Sequence, residues 1–294
     1  MREMNAILEV QGLTKQYKKS DFRLNDISFS LPGGAIMGLV GENGSGKTTT
    51  IGCILNTLIK ESGTVKIFGK EMDDKSADIR DGIGVVFDVN NFSDDLTATK
   101  ISSVMRRIYS CWDDDLFGEY LSKFELPAKQ KIKSFSRGMA MKLGIAAALS
   151  HRPKLLILDE ATSGLDPIVR EEILDIFLDF VCDDDHSILF SSHITADLEK
   201  IADYITFIHN GSMIFSEKKD ELIYNYGMIR CTSAQFPKID AHDILAYKKQ
   251  DYQIDVLVSD KRAAEKKYRD FIIDNVSVEN IMLLHIKGEK NEQK

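Results

Sequence analysis

The chain has 294 residues, enough for one full domain with an appendage, or for two small domains, and it can bury a sizeable core without disulfides or metals. Hydrophobic residues make up 43% of the sequence and charged residues 29%, a composition that excludes a disordered protein. The net charge of −8 disfavours a nucleic-acid partner, because such partners favour a basic surface.

The cysteines and the apolar segments bear on the compartment in which the protein works. The four cysteines form no CxxC pair, which argues against zinc and thioredoxin-like sites and suits a reducing cytosol. The N-terminus has no apolar signal region, and no apolar run approaches the roughly 18–20 residues that a membrane span needs. The sequence therefore predicts a cytoplasmic protein, and any work at a membrane would need another chain to supply the spans.

The first part of the chain is predicted to alternate short strands with turns. Its β-rich or apolar segments indicate strands at residues 7–10, 24–31, 35–40, 65–68 and 83–87. The glycine-rich segment 41–46 is predicted to lead into a helix from Lys47 to about Leu58.

Residues from about 89 to 150 are predicted to form a helical region. Apolar residues recur there at helical spacing within 99–109, 114–124 and 136–149. A buried strand at 155–158 ends at Asp159, and Asp166 followed by Pro167 is a typical start for a helix that should run to about 181. The last elements of this part are a strand at 187–191 and a hairpin that joins 204–209 to 212–215.

The character of the sequence changes near residue 225. A strand-like segment at 252–258 precedes a basic helix at 261–274 and a short helix near 277–286. These patterns predict a domain at 1–224 and a small C-terminal α+β appendage at 225–294. The appendage could be regulatory, could enlarge a dimer interface, or could have neither role.

Residues 41–48 match the phosphate-loop pattern G-x-x-x-x-G-K-[ST] in full. Glycines let backbone N–H groups surround a polyphosphate, and the N-terminus of the following helix also attracts the anion. Lys47 is predicted to neutralise the β- and γ-phosphates of ATP, Thr48 to bind Mg²⁺ through its hydroxyl, and Thr49 to donate to a phosphate. The loop consists of Gly41, Glu42, Asn43, Gly44, Ser45, Gly46, Lys47 and Thr48.

Two carboxylates follow the strand at 155–158. A phosphate loop needs a carboxylate on a neighbouring strand to hold Mg²⁺, and Asp159 is predicted to supply it, through water. Glu160 comes next, where its carboxylate could polarise a water that attacks the γ-phosphate. Asp159 is therefore a predicted metal ligand, and Glu160 is a predicted general base.

The segment 158–166, LDEATSGLD, closely resembles the Walker B and D-loop segment of ABC ATPases. The resemblance covers residues 7–222 and implies an α/β P-loop NTPase fold, with a RecA-like mixed sheet, an N-terminal antiparallel β subdomain and an inserted helical subdomain. It also implies that Asp166 lies at the nucleotide and that His193, in FSSH, is the switch histidine that contacts the γ-phosphate. Tyr17 is similar to the aromatic residue on which the family stacks adenine.

The sequence departs from the family pattern at two places. Residues 135–139 read FSRGM where the family signature is LSGGQ; Ser136 and Gly138 remain to touch a γ-phosphate, and similar variants occur in a branch of bacterial ABC exporters. Asp88 stands where the family usually carries the Q-loop glutamine, a ligand of Mg²⁺. The aspartate could bind Mg²⁺ more strongly, or it could weaken the γ-phosphate contact by repulsion; both alternatives stay open.

The resemblance implies a mechanism that needs partners. In this family the signature of one subunit faces the phosphate loop of another, so we expect a second copy of the chain in a head-to-tail C2 homodimer that closes on ATP. An integral membrane permease would be the other partner, with this chain on the inner face of the cell membrane. Phe92, Leu96 and Trp112 could contact the permease, with core packing as the alternative for each.

Two alternatives compete with a transport subunit. One is an ABC ATPase that acts on translation or DNA, but the first type resembles two tandem cassettes, and the second carries a long coiled-coil insertion. The stretch between Lys47 and Asp159 has no room for that insertion. The other alternative is a non-catalytic ATP-sensing module, which Asp88 favours and which the presence of Glu160 and His193 disfavours.

Overall fold

Two β-sheets and the helices packed on them make up the protein. The computed structural model describes residues 6–18, 21–73, 75–88 and 92–289. The strands are β1 (Ala6–Gln16), β2 (Arg23–Pro32), β3 (Ile36–Val40), β4 (Ser62–Ile67), β5 (Lys70–Glu71), β6 (Ile83–Phe87), β7 (Leu155–Asp159), β8 (Ser187–Ser192), β9 (Tyr204–His209), β10 (Ser212–Lys218), β11 (Gly227–Cys231), β12 (Ala246–Lys249), β13 (Ile254–Val258) and β14 (Ile272–Asn275). The α-helices are α1 (Lys47–Ile54), α2 (Ala77–Asp81), α3 (Ala98–Ile108), α4 (Asp114–Lys123), α5 (Arg137–Leu149), α6 (Pro167–Phe180), α7 (Thr195–Ile201), α8 (Lys219–Asn225), α9 (Lys261–Lys267) and α10 (Val278–Lys287).

The larger sheet combines an antiparallel part with a parallel part. Its ten strands follow the order β5-β4-β1-β2-β10-β9-β3-β8-β7-β6. β1 pairs antiparallel with β2 and β4, whereas β3 pairs parallel with β8 and β9, and β7 pairs parallel with β6 and β8. The predicted α/β fold, with its N-terminal antiparallel part and mixed core sheet, is therefore confirmed.

The parallel strands bring the predicted site residues to one edge of this sheet. All residues of β3, β7 and β8 are buried, as expected for parallel strands covered on both faces. In register, Val40 lies beside Ser192, and Asp159 lies beside both Ser191 and Phe87. Because parallel strands end at the same edge, the segments that follow β3, β6, β7 and β8 start close together.

Helices α3, α4 and α5 form the predicted helical region, and each begins at a capping side chain. The side chains of Thr97, Asp113 and Ser136 accept hydrogen bonds from backbone N–H groups in the first turns of α3, α4 and α5. The apolar faces of these helices, with Phe117 of α4 and Leu143 of α5, belong to the core that covers one side of the parallel strands. None of the helices in the described ranges combines the length and hydropathy that a bilayer crossing requires.

The smaller sheet has the antiparallel order β12-β13-β11-β14 and its own apolar cluster. Helix α10 returns from it to the larger body. The backbone N–H of Val278 donates to the Glu199 side chain of α7, and the His285 ring meets the rings of Phe207 and Phe215 edge-on. The C-terminal segment is thus attached to the larger body through α10.

Two of the predicted helices are too long. The basic helix predicted at 261–274 ends at Lys267, and Ile272–Asn275 forms β14, which pairs with β11. The apolar Phe271 and Ile273 pack against the core of the smaller sheet, so the burial of these side chains outweighs the continuation of the helix. The helix predicted to reach Leu58 ends at Ile54, and Asn56 has the left-handed φ of 55°.

Candidate nucleotide-binding and catalytic site

The phosphate loop runs from the buried end of β3 into α1. Two of its positions require glycine, one because a side chain would clash and one because of its backbone conformation. A Cβ atom at Gly41 would lie 2.3 Å from the Ile208 carbonyl oxygen and 2.4 Å from Ser45 Oγ. Gly46, at the N-cap of α1, has a φ of 117°, a conformation that L-residues with a side chain rarely adopt. The backbone of β9 and the left-handed turn therefore fix the shape of the loop.

The buried Lys47 points its ammonium group back into this loop. Lys47 Nζ donates to the carbonyl oxygens of Gly41 at 2.8 Å and Glu42 at 3.3 Å, and it lies 3.1 Å from Glu160 Oε1. Ser45 Oγ is buried without a hydrogen-bond partner in the described part of the chain. A fixed cation, an unpaired hydroxyl and a glycine-shaped loop at a helix N-terminus together suit a polyphosphate.

The end of β7 supplies the two predicted acidic residues. Asp159 is 5% exposed, and its Oδ1 accepts a hydrogen bond of 2.5 Å from Ser191 Oγ of the neighbouring strand. Glu160 has the left-handed φ of 56°, and its N–H donates to the Ser191 carbonyl oxygen at 3.0 Å. The chain therefore turns sharply after Asp159, in a strained conformation of the kind that clusters at functional sites.

Glu160 connects the phosphate loop to the predicted switch histidine. Its Oε2 lies 2.5 Å from His193 Nδ1 and accepts a longer bond of 3.4 Å from the His193 N–H, whereas its Oε1 faces Lys47. Its side chain is 15% exposed and that of His193 is 41% exposed. The carboxylate is thus held by two partners and lies mostly buried beside the phosphate loop, where we predict the general base for water.

Tyr17 and residues of the β9–β10 hairpin flank the loop. The Tyr17 hydroxyl lies 3.2 Å from Thr49 Oγ1 of α1, and Lys15 Nζ lies 5.4 Å from the centroid of the Tyr17 ring. From the other side, the Gly211 N–H donates to the Ser45 carbonyl oxygen at 2.8 Å. The aromatic ring therefore lies beside the start of α1, and its role in stacking adenine stays a prediction.

A Mg²⁺ ion would find oxygen ligands at this edge. The Thr48 hydroxyl is exposed at the start of α1, and the Asp159 carboxylate ends the adjacent β7. Hydroxyl and carboxylate oxygens are the hard ligands that Mg²⁺ prefers, and one or two protein ligands are enough because phosphates and water complete its shell. The third predicted ligand, Asp88, forms an ion pair with Arg137 of α5.

The other predicted nucleotide contacts lie apart from this cluster. Ser136 Oγ accepts from the Met139 N–H at 3.2 Å as the N-cap of α5, and Gly138 faces Val169 of α6. Asp166 is the N-cap of α6 and accepts from two N–H groups in its first turn. Among the described residues, no hydrogen bond or ion pair joins the phosphate loop to Ser136, Gly138 or Asp166.

Several supporting residues were missed by the sequence analysis. Ser191 holds Asp159, and the buried Asp197 of α7 accepts from the Thr162 hydroxyl at 2.7 Å, which links the segment after His193 to the segment after Glu160. The Arg137–Asp88 pair was also missed. The serines of FSSH, polar residues inside a predicted strand, could have pointed to Ser191, whereas the other two pairings join positions 35 and 49 residues apart and leave no local signal.

A cavity of about 460 Å³ lies between the end of β6 and helices α3 and α5. Apolar side chains contribute most of its wall, and Asp88 and Arg137 also line it. All three residues predicted to contact a permease, Phe92, Leu96 and Trp112, pack in part against the apolar core, and Phe92 also lines this cavity.

Known proteins share the sequence pattern of this chain. The family described as "ABC transporter" matches residues 24–163. The ABC transporter ATP-binding protein YtrB of Bacillus subtilis is 32% identical over 75% of this chain and 75% of its own length. The bacitracin transport ATP-binding protein BcrA of Bacillus licheniformis is 34% identical over 72% of this chain and 69% of its own length.

A solved structure resembles the fold as well. The ATP-binding subunit of an ABC transporter superposes with a TM-score of 0.65 and is 26% identical, covering 74% of this chain and 91% of that one. The phosphate loop, the Asp159–Glu160 pair and His193 meet at one sheet edge, and the sequence relatives extend over most of the chain. This chain therefore belongs to the ABC transporter family, as an ATP-binding and ATP-hydrolysing subunit.

Proposed function

We propose that this subunit binds ATP with Mg²⁺, pairs head-to-tail with a second copy of itself, and drives export by a separate membrane permease from the inner face of the cell membrane. The observation that carries the proposal is that the predicted nucleotide contacts lie in two separate places. Glu160 joins the phosphate loop to His193, whereas Ser136 and Gly138 lie on α5 without a contact to that loop. A second copy would bring its α5 to complete the site.

The hydrolytic step uses groups that are already arranged. The Glu160 carboxylate accepts a proton from water as the water oxygen bonds to the γ-phosphorus, and the bond from that phosphorus to the β–γ bridging oxygen breaks to leave ADP and phosphate. Lys47 neutralises charge on the phosphates, and His193 holds the carboxylate by its Nδ1. Thr48 and Asp159 would hold Mg²⁺, which supplies further neutralisation of the phosphate charge when it is bound.

The second copy would contact this one at the N-termini of α5 and α6. Ser136 is exposed at the N-cap of α5, and a helix N-terminus attracts an anion such as the γ-phosphate. Closure on ATP would bury the nucleotide between the two copies, and loss of the γ-phosphate would remove the contacts that hold them together. Asp166 at the start of α6 would lie at the same boundary.

The permease would dock at the cavity between β6, α3 and α5. Its wall is mainly apolar and includes Phe92, Met105 and Tyr109, a composition that suits an inserted apolar segment of a partner. The cavity is also lined by Asp88, directly after β6, so an inserted segment would lie close to the edge that carries the nucleotide. Phe92 is therefore the better candidate for a permease contact than Leu96 or Trp112.

The name of one relative supports a class of transported molecule. BcrA is named for bacitracin transport, and its similarity of 34% identity over 72% of this chain supports export of an antimicrobial peptide as the function of the complex. The permease would select the transported molecule, because the site at the sheet edge of this subunit suits a nucleotide.

The change Glu160→Gln tests the motor. It keeps the size of the side chain and removes the general base, so we expect ATP binding to persist and turnover to fall by at least about a hundredfold. Gel filtration of this variant with Mg-ATP should give a dimer, and its chromatogram without nucleotide is the control. Wild-type-like hydrolysis would overturn the role of Glu160, and a monomer at high protein and ATP concentrations would overturn the homodimer.

A further inference from the structure

The two positions at which the chain departs from the ABC pattern contact each other. Arg137 Nη2 forms an ion pair with Asp88 Oδ1, although the two residues lie 49 positions apart. Asp88 directly follows β6, and Arg137 is the first residue of α5, directly after the Ser136 cap. Both side chains are about half exposed, at 42% and 50%. The pair therefore bridges the sheet edge and the helical region beside Ser136.

The guanidinium of Arg137 has a second neighbour in the loop before α6. A Cβ atom at Gly164 would lie 2.4 Å from Arg137 Nη1 and 2.7 Å from its Cζ, so only a glycine leaves room for the arginine in this position. Gly164 also has the left-handed φ of 67°. Arg137 thus lies between the end of β6 and the loop that leads to the Asp166 cap.

Electrostatics explain why the arginine needs a partner. The N-terminus of a helix carries partial positive charge, and a cation at its first position is unfavourable there. The first turn of α5 has no acidic residue to compensate. Asp88 supplies the missing negative charge from a different element, so the position of the α5 N-terminus depends on the end of β6.

We propose that Asp88 and Arg137 are a matched positioning pair that holds the N-terminus of α5, and with it Ser136 and Gly138, in the orientation that receives ATP from the second copy. The inference rests on the proposed function, because it assigns Ser136 and Gly138 to the nucleotide of the partner subunit. A change at either position breaks the same link, and the loss of one partner makes the other dispensable.

A double-mutant cycle in the Glu160→Gln protein tests this coupling. The measured quantity is the ATP concentration that gives half-maximal dimer in gel filtration or sedimentation. Asp88→Asn and Arg137→Gln should each raise it by about two- to fivefold, as expected for loss of one exposed ion pair. The double variant should resemble the weaker single variant, because the pair is already absent there. Asp88→Glu keeps the carboxylate and should stay close to the parent protein.

The control is Lys131→Gln, which removes an exposed ion pair with Asp95 in the helical region, five residues before Ser136. It should leave the ATP requirement unchanged, and thermal unfolding should be nearly the same for all variants. Additive effects in the double variant, or an equal effect of Lys131→Gln, would overturn the positioning pair. Failure of the parent Glu160→Gln protein to dimerise on ATP would overturn the proposed function instead, so the two failures are distinguishable.

Discussion

The ten-stranded sheet and the four-stranded C-terminal sheet bury different kinds of side chain. Every buried polar or charged residue in the described ranges precedes residue 207, and this set includes Lys47, Asp159 and Asp197. The cluster inside the smaller sheet consists of apolar and aromatic residues such as Ile229, Val256 and Tyr268. Buried charge is costly unless it is paired, so a protein keeps it where it serves a function.

Backbone strain follows the same division. Glu160 and Asn210 are among the non-glycine residues with left-handed φ, and the described part of the chain beyond Gly211 has no residue in that conformation. The charged groups around the smaller sheet instead form partly exposed pairs, for example Lys267 of α9 with Asp243. The predicted catalytic residues thus lie at the larger sheet, and the interior of the smaller sheet is apolar and aromatic.

The largest effect that tests this comparison comes from Gly41→Ala. The added Cβ would meet the Ile208 carbonyl oxygen at 2.3 Å, so the loop must move away from β9. A displacement of about 1 Å at a catalytic site can reduce turnover by about a hundredfold, and we expect at least that loss in the ATPase assay.

A matched change tests whether the clash is the cause. Gly118 lies inside α4, and a Cβ there would meet nothing within 4 Å. Gly118→Ala should leave ATPase activity unchanged and raise the free energy of unfolding by about 0.5–1 kcal/mol, because alanine favours the helix. Normal turnover in Gly41→Ala would mean that the loop is not fixed by its contact with β9.

Most of the nucleotide site could be predicted because its residues form local patterns. The phosphate loop is a continuous motif, Asp159 and Glu160 follow an apolar strand, and His193 follows another. Parallel strands then carry these segments to a common edge, as their register confirms. By contrast, the Glu160–Lys47 and Arg137–Asp88 pairs depend on side-chain positions across the fold, which no sequence spacing specifies.

The C-terminal segment was harder to predict for a physical reason. Residues 261–269 combine five basic residues with Ala263 and Ala264, and no glycine or proline interrupts the chain before 274, so a helix to 274 was the simpler expectation. In the folded chain Phe271 and Ile273 find an apolar surface on β11 and its neighbours, and the second half becomes β14. Tertiary burial therefore decided the structure of this segment, since its local propensity was ambiguous.

A core truncation in the smaller sheet tests the other side of the comparison. Ile229 of β11 is fully buried, and Ile229→Ala should lower the free energy of unfolding of this region by about 2–4 kcal/mol through lost burial and an added cavity. We expect turnover per folded molecule to stay within about twofold. Chemical denaturation and ATPase assays on the same samples measure both quantities, and the exposed Ile272→Ala is the matched control.

A large loss of turnover in Ile229→Ala, at a denaturant concentration where the protein is still folded, would contradict the division. It would indicate that the smaller sheet acts on the motor through α10, whose N-terminal N–H of Val278 bonds to Glu199 on the helix that follows His193. If Ile229→Ala lowers the free energy of unfolding and leaves turnover unchanged, the smaller sheet contributes to stability and not to catalysis.

The smallest expected effect concerns a buried polar group of the larger body that has no catalytic role. His151 stacks on the Tyr109 ring at 3.9 Å, and its Nε2 lies 3.1 Å from the Ile83 carbonyl oxygen. Burial lowers the pKa of His151 below its ordinary value of 6.5, although the bonds to backbone carbonyls and the nearby Asp81 oppose the shift. In the folded protein the ring is therefore neutral over a wider range of pH than in the unfolded chain.

The sign of the pH effect follows from this difference. Below about pH 6.5 the unfolded chain binds a proton at His151 that the folded protein does not bind, so the free energy of unfolding falls as the pH is lowered through that value, by at most about 1.4 kcal/mol per pH unit. His151→Gln keeps a donor for Ile83 and should remove this part of the dependence. Urea denaturation of both proteins between pH 5 and 8 measures it, and equal slopes would show that the buried ring does not contribute.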